Sequence, residues 1–247
     1  MDLKDPVNKD DLKNRVKDLT NGYYDLFLSM IDNDESYKKA ALLYYWLRDY
    51  QAYLKNESTF SPNFYPPFFR GSIVNVNLGF NLGAEMGGLH YAIVLSESNR
   101  RNPNIVIAPL TSVKNPKKLD SLRPTELYIE EELFYKIQGK YTALKSSIPT
   151  ELKLLSATIK EKECPDRGTI RKVEDLGRKI DLLEKTMKKL QVLKHGSIIV
   201  LNQIRTISKM RVSDPTDQYD ILYGLKLSSK NLTLLDKRIK SLYVKEN

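Results

Sequence analysis

An α+β architecture is predicted for this 247-residue chain: a small β-barrel with a helical region added at its N-terminus and a helical hairpin inserted within it. Three observations carry that prediction. Apolar residues recur at helical spacing up to about residue 57, the period switches to that of short strands from Gly71 onward, and a heptad-like segment interrupts the strands between about 133 and 195.

In the first region, Asp10 or Asp11 can cap an opening helix, and Leu19 to Ile31 continues its apolar spacing. Asp34-Glu35-Ser36 opens a second helix, predicted to run through Leu54. On it Ala41, Leu42, Tyr45, Trp46, Tyr50 and Tyr53 recur at intervals of three and four, which makes one broad aromatic face. Such a stripe reads first as a packing surface. Phe60 to Phe69 contains Pro62, Pro66 and Pro67, cannot continue a helix, and reads as an extended linker against the body. The division expected is therefore 1–66, helices and linker, and 67–247, the barrel with its insertion.

Five strand-like runs follow: Ile73 to Val76, Tyr91 to Leu95, Asn104 to Leu110, Glu126 to Ile129 and Gly196 to Leu201. They are short, mostly apolar and bounded by turn residues, as in small barrels. Between the first two, Asn77-Leu78-Gly79 leads into Gly83-Ala84-Glu85-Met86-Gly87-Gly88. Glycines at this density allow positive φ and close backbone approach, so the loop can wrap a ligand. A C-terminal helix, Leu232 to Tyr243, completes the body.

Within the insertion, Pro149 is expected to start a helix after Ser146 and Ser147, with Leu152, Leu155 and Ile159 on one face. Cys164-Pro165-Asp166-Arg167-Gly168 reads as the turn. A second helix then sets Val173, Leu176, Ile180, Leu183, Met187 and Leu190 in an a/d seam. The seam pairs either within an antiparallel hairpin or with another chain.

Composition narrows the class. Apolar residues make up 41% and charged residues 29%, enough for a core beneath a charged surface. No apolar run approaches the roughly 20 residues needed to span a bilayer, so no membrane role is expected. Met1 to Asp11 is polar and lacks an apolar secretory core, which predicts a cytoplasmic location. The single cysteine, Cys164, reads as a free thiol, and His90 and His195 are too few for a Cys/His metal site, so neither metal nor cofactor is expected. The net charge of +9 splits into −2 for residues 1–69, +7 for 70–195 and +4 for 196–247. A basic body favours a polyanionic partner, or is simply a solvated basic surface.

Three blocks resemble the MazF/PemK family of toxin endoribonucleases. The first is Arg70-Gly71 through Ser96, strand–glycine loop–strand. Ala108-Pro109-Leu110-Thr111-Ser112 is the second, and Gln203-Ile204-Arg205-Thr206-Ile207-Ser208-Lys209, within Ser197 to Arg211, is the third. The resemblance spans 70–130 and 196–243 and leaves out the N-terminal helices and the insertion. It implies an SH3-like barrel that forms a homodimer and cuts single-stranded RNA, mRNA above all, by 2′-hydroxyl attack, leaving 2′,3′-cyclic phosphate and 5′-hydroxyl ends without a metal. It also implies a small acidic antitoxin as partner.

Carried over position by position, the family's catalytic arginine falls on His90, its second catalytic position on Thr111 and a loop carboxylate on Glu85. A histidine lacks arginine's permanent charge and bidentate fork, but it exchanges a proton near neutral pH. His90 is therefore either a substituted general acid/base or the mark of lost chemistry. Thr111 orients phosphate or caps a strand end, and Glu85 is either near substrate or a solvated loop residue. Asn77, Gly87, Gly88, Ser112, Gln203 and Arg205 are the RNA-binding candidates, with loop support the other reading for Gln203 and Arg205. A competing function is a MazF-fold binding protein without nuclease activity, acting on RNA or on a protein target such as gyrase. The N-terminal arm either packs on the barrel or covers its basic groove as a built-in inhibitor.

Overall fold

The computed structural model describes residues 5–114, 116–160, 166–194 and 196–244. Cys164, His195 and the expected 164–168 turn up to Pro165 lie outside the described residues. The chain divides into two compact units, Met1–Ser58 and Thr59–Asn247. Among the described residues no helix is long and apolar enough to cross a membrane.

The first unit is a pair of helices, α1 (Lys9–Ile31) and α2 (Asp34–Asn56). Asp10 and Asp11 do not cap α1. They occupy its first turn, where carboxylates offset the positive end of the helix dipole, while Asp5 caps a short 3₁₀ turn just upstream. Asn33 caps α2, its side-chain oxygen accepting from the Glu35 amide at 3.0 Å. On the aromatic face of α2, Trp46 stacks on Tyr50 with centroids 5.5 Å apart, and the Arg48 guanidinium lies over Tyr45.

The second unit is built on a seven-stranded antiparallel sheet. Its strands are β1 (Ile73–Asn77), β2 (Leu89–Val94), β3 (Asn104–Ser112), β4 (Glu126–Tyr128), β5 (Ser197–Val200), β6 (Arg205–Ser208) and β7 (Val212–Asp214). The five expected strands are all present; β6 and β7 were not anticipated. The order is β4-β5-β3-β2-β1-β7, with β6 also on β3. Among the described residues β4 and β7 do not pair, so the sheet is not closed where a barrel had been expected. β5 and β6 run along the same edge of β3, since Leu110 pairs with Ile199 and Ile107 with Arg205. The extra residues between them are taken up by a 3₁₀ turn, Leu201–Gln203.

Each face of the sheet carries its own core because side chains alternate along a strand. Ile93, Ala108 and Leu110 point to one face, which helices cover. Ala92, Val94, Ile105 and Ile107 point to the other, closed by Val74, Val76, Ile207, Val212 and Phe68. Phe68 enters through the proline-rich segment, which bridges to Ser98.

Two long helices, α3 (Glu132–Lys160) and α4 (Arg167–Val192), pack together between β4 and β5. Pro149 does not start α3. The helix begins at Glu132 and runs through the proline, because Leu133 and Ile137, in its first two turns, are already anchored in the core. Proline's missing N–H removes one backbone bond from the interior of that helix. On α4 only half of the expected seam turns inward. Leu176 is buried and Leu183 packs beside it against Ile148 and Leu155, whereas Val173, Ile180 and Met187 are 40–46% exposed. Thr169, Leu182 and Thr186 take buried places instead. Of the expected α3 face, Leu155 is buried while Leu152 and Ile159 are exposed.

The base of this pair is fastened to the body. The Glu132 carboxylate accepts from the Ser228 hydroxyl at 2.9 Å and from the Asn231 side chain at 2.6 Å. Ser228 in turn caps α5 (Ser229–Tyr243). Lys140 donates to the carbonyls of Asp220 and Tyr223, and the Tyr219 hydroxyl donates to Asp175 at 2.6 Å.

Candidate functional site

The glycine loop joining β1 to β2 is stiff at its root. Leu78 donates to the Gly88 carbonyl at 2.8 Å and Gly88 to the Gly79 carbonyl at 2.7 Å. Gly88 has φ +80°, and a Cβ on Gly87 would lie 2.7 Å from the Gly79 carbonyl oxygen. Backbone conformation demands glycine at the first position and backbone proximity demands it at the second. The Asn77 side chain accepts from the Gly79 amide at 3.0 Å, and its carbonyl accepts from Arg211 at 2.7 Å. Glu85 lies exposed on the loop.

Gln203 reaches this loop from across the sheet. Its side-chain oxygen accepts from the Met86 amide at 3.2 Å and from the Arg205 guanidinium at 2.7 Å. The Gln203–Arg205 pair and the glycine loop thus form one bonded unit. Arg205 pairs with Ile107, and Ile107 with Val94, so alternation puts Arg205 on the same face of the sheet as Ala92 and His90.

His90 occupies the loop end of β2. Its ring Nδ1 lies 2.9 Å from the carbonyl oxygen of Leu110. A carbonyl only accepts, so Nδ1 carries the proton and the neutral ring keeps a lone pair on Nε2. His90, Thr111 and Ser112 line one groove of about 430 Å³ at the end of β2 and β3. Three lysines, Lys114, Lys189 and Lys194, share that groove, and among the described residues no carboxylate lines it. A cationic, carboxylate-free groove draws a polyanion. Apolar side chains, Leu133, Val192 and Leu193 among them, shape the wall.

Of the residues singled out from the sequence, the structure therefore gathers His90, Thr111 and Ser112 in the groove. Gly87, Gly88, Asn77, Gln203 and Arg205 belong to the loop and its support. Glu85 is not among the groove residues. Sequence reasoning missed Lys114, Lys189, Lys194, Asn75, Tyr91 and Ser197, the remaining polar residues of the lining. Lys114 follows Thr111 closely enough to have been found, but nothing in the spacing of α4 marks Lys189 among its many lysines.

Beneath the groove Tyr91 faces the helix-covered core, and its hydroxyl is buried with no hydrogen-bond partner among the described residues. Burial raises its ionisation above the ordinary tyrosine range, with the charge of Asp214 adding to the effect. Asp214, paired with Asn75 across β1 and β7, is itself pushed up to about 6, chiefly by burial.

These strands and this loop are a recognisable set. Residues 69–156 match the model of the PemK-like, MazF-like toxin family of type II toxin–antitoxin systems. Over that segment the chain is PemK/MazF-like, as its first two motif blocks implied. The match takes in β1 to β4 and most of α3, a little over a third of the chain, and stops before the Gln203–Lys209 block. No curated protein matches the chain.

Proposed function

We propose that this protein is the toxin of a type II toxin–antitoxin pair and cuts single-stranded RNA without a metal. The 2′-hydroxyl attacks the adjacent phosphate, the bond to the 5′-oxygen breaks, and 2′,3′-cyclic phosphate and 5′-hydroxyl ends result. The observation that carries this reading is the groove itself: a histidine with a free Nε2 lone pair, the hydroxyls of Thr111 and Ser112, and three lysines with no carboxylate among the described lining residues. His90 exchanges the proton of the attacking or leaving oxygen, and Thr111 and Ser112 donate to the phosphate oxygens. The lysines offset the charge that grows on the phosphorane.

Glu85, on the glycine loop, is proposed to approach the substrate from the loop side. Gly87 and Gly88 give the RNA backbone close access, while Asn77, Gln203 and Arg205 hold the loop in place. An open, SH3-like sheet working as a homodimer in the cytoplasm, and a small acidic antitoxin drawn to the basic body, complete the reading. The +9 charge and the family match support it.

The test is direct. Purified protein incubated with mixed-sequence RNA in EDTA should leave cyclic phosphate termini; intact RNA from folded protein counts against the proposal. A second reading, target binding without cleavage, rests on His90 standing where the family has arginine. Growth inhibition that survives both His90→Ala and Thr111→Ala would favour binding.

A further inference from the structure

Two of the three groove lysines, one on α4 and one just after it, lie beyond the reach of the family match. The match ends at residue 156, inside α3, whereas Lys189 is in the last turn of α4 and Lys194 lies just past it. Both nevertheless line the groove that holds His90, Thr111 and Ser112. Their position is not left to a swinging hairpin. Glu132, Lys140 and Asp175 fasten the helices to the body, and Leu190 and Leu193, which lie between these lysines in the chain, pack on the sheet's core.

The chemistry of the two side chains fits an anion. Lys189, half-buried in the groove lining, holds its ammonium 4.9 Å from the centroid of the Tyr91 ring. Lys194 is exposed. Among the described residues neither makes an ion pair with a carboxylate within 4 Å, and the same holds for Lys114. Ammonium groups grouped in this way are compact point charges for phosphate. Helix-dipole complementarity explains a cation at the end of α4, but not why two converge with Lys114 on the groove.

We infer that the inserted helices are part of the substrate site: Lys189 and Lys194 form, with Lys114, a rail that grips the phosphates of a single-stranded nucleic acid beside its reacting group. The inference rests on the proposed function and adds which element holds the backbone.

Salt dependence tests it. A short, fluorescein-labelled, mixed-sequence RNA with every 2′-hydroxyl methylated cannot be cut by the proposed route, so its binding to the full-length protein reads affinity alone. For a single strand, each phosphate contact contributes about 0.7 to the slope of log affinity against log salt. The Lys189→Met, Lys194→Met double variant should lower that slope by about 1.4 and weaken binding at every KCl concentration. Methionine keeps an apolar stem over Tyr91, and Lys194→Met, at an exposed position, supplies a variant that folds if the other does not. Lys189→Arg should keep the wild-type slope. Lys185→Met, on α4 but outside the groove, should leave it unchanged. A folded double variant with wild-type slope and affinity overturns the rail while leaving the nuclease reading intact. A wild-type protein that binds no such RNA, and cuts none, overturns both.

Discussion

The ammonium of Lys189 sits 4.9 Å above the ring of Tyr91, which joins the end of an inserted helix to the strand that carries His90. The contact sets a cation beside the groove, over the face of a ring whose hydroxyl is buried.

That hydroxyl makes Tyr91→Phe informative. It has no hydrogen-bond partner among the described residues, so its burial carries a desolvation cost without return. Removing it should leave stability unchanged or raise it by up to ~1 kcal/mol in urea unfolding. A loss larger than that would reveal a hidden partner.

Asp214 gives a pH dependence with a definite sign. Its folded pKa, about 6, lies above the ordinary 3.8 because burial outweighs the Leu222 amide and the nearby Lys140 and Lys189. The folded state therefore holds this proton more tightly than the unfolded chain. The stabilising contribution is complete below the ordinary carboxylate range and is lost as pH rises through about 6. A shift of this size corresponds to at most ~3 kcal/mol. Asp214→Asn keeps the acceptor for the Leu222 amide and removes the titration. Its stability relative to wild type should rise between about pH 4 and pH 7. A flat or falling difference in urea midpoints would show that the carboxylate is not held in a desolvating site.

The acid–base role proposed for His90 separates chemistry from binding. His90→Ala removes one bond to the Leu110 carbonyl, worth about 1 kcal/mol, so the fold should persist. RNA cleavage should fall by at least about 100-fold, with affinity for the methylated RNA nearly unchanged. Cleavage within a few-fold of wild type would remove the imidazole from the mechanism.

Gln203 tests how the loop is held. Gln203→Ala takes away the acceptor shared by the Met86 amide and Arg205, at a cost of roughly 1–2 kcal/mol. Hydrogen exchange at the Met86 amide should accelerate, together with its neighbours in the glycine loop. Unaltered protection there would mean that the loop stands without this bridge.

Much of the architecture was legible from local pattern. The helical spacing of residues 34–54 marks α2, the strands from Ile73 to Val200 follow their apolar runs, and the cluster Gly83 to Gly88 announces a loop that backbone geometry alone reserves for glycine. Period and turn chemistry are properties of neighbouring residues, so they survive without knowledge of the fold. β6 and β7 escaped because each holds a single aliphatic residue, Ile207 or Val212, among polar ones, so neither makes an apolar run. Pro149 misled because its local preference for a helix start was overruled by the anchoring of Leu133 and Ile137.

The sequence by itself determined most of the elements, the glycine loop and the triplet His90, Thr111 and Ser112 as residues of interest. Only the tertiary structure decided that Lys189 and Lys194 join them, that Gln203 bonds the loop more than 100 residues away, and that one half of the α4 seam faces outward. The physical reason is the same in each case. Periodicity records which side of an element is apolar, whereas the partner that covers it, or the groove its charges enter, is set by contacts between segments far apart in the chain.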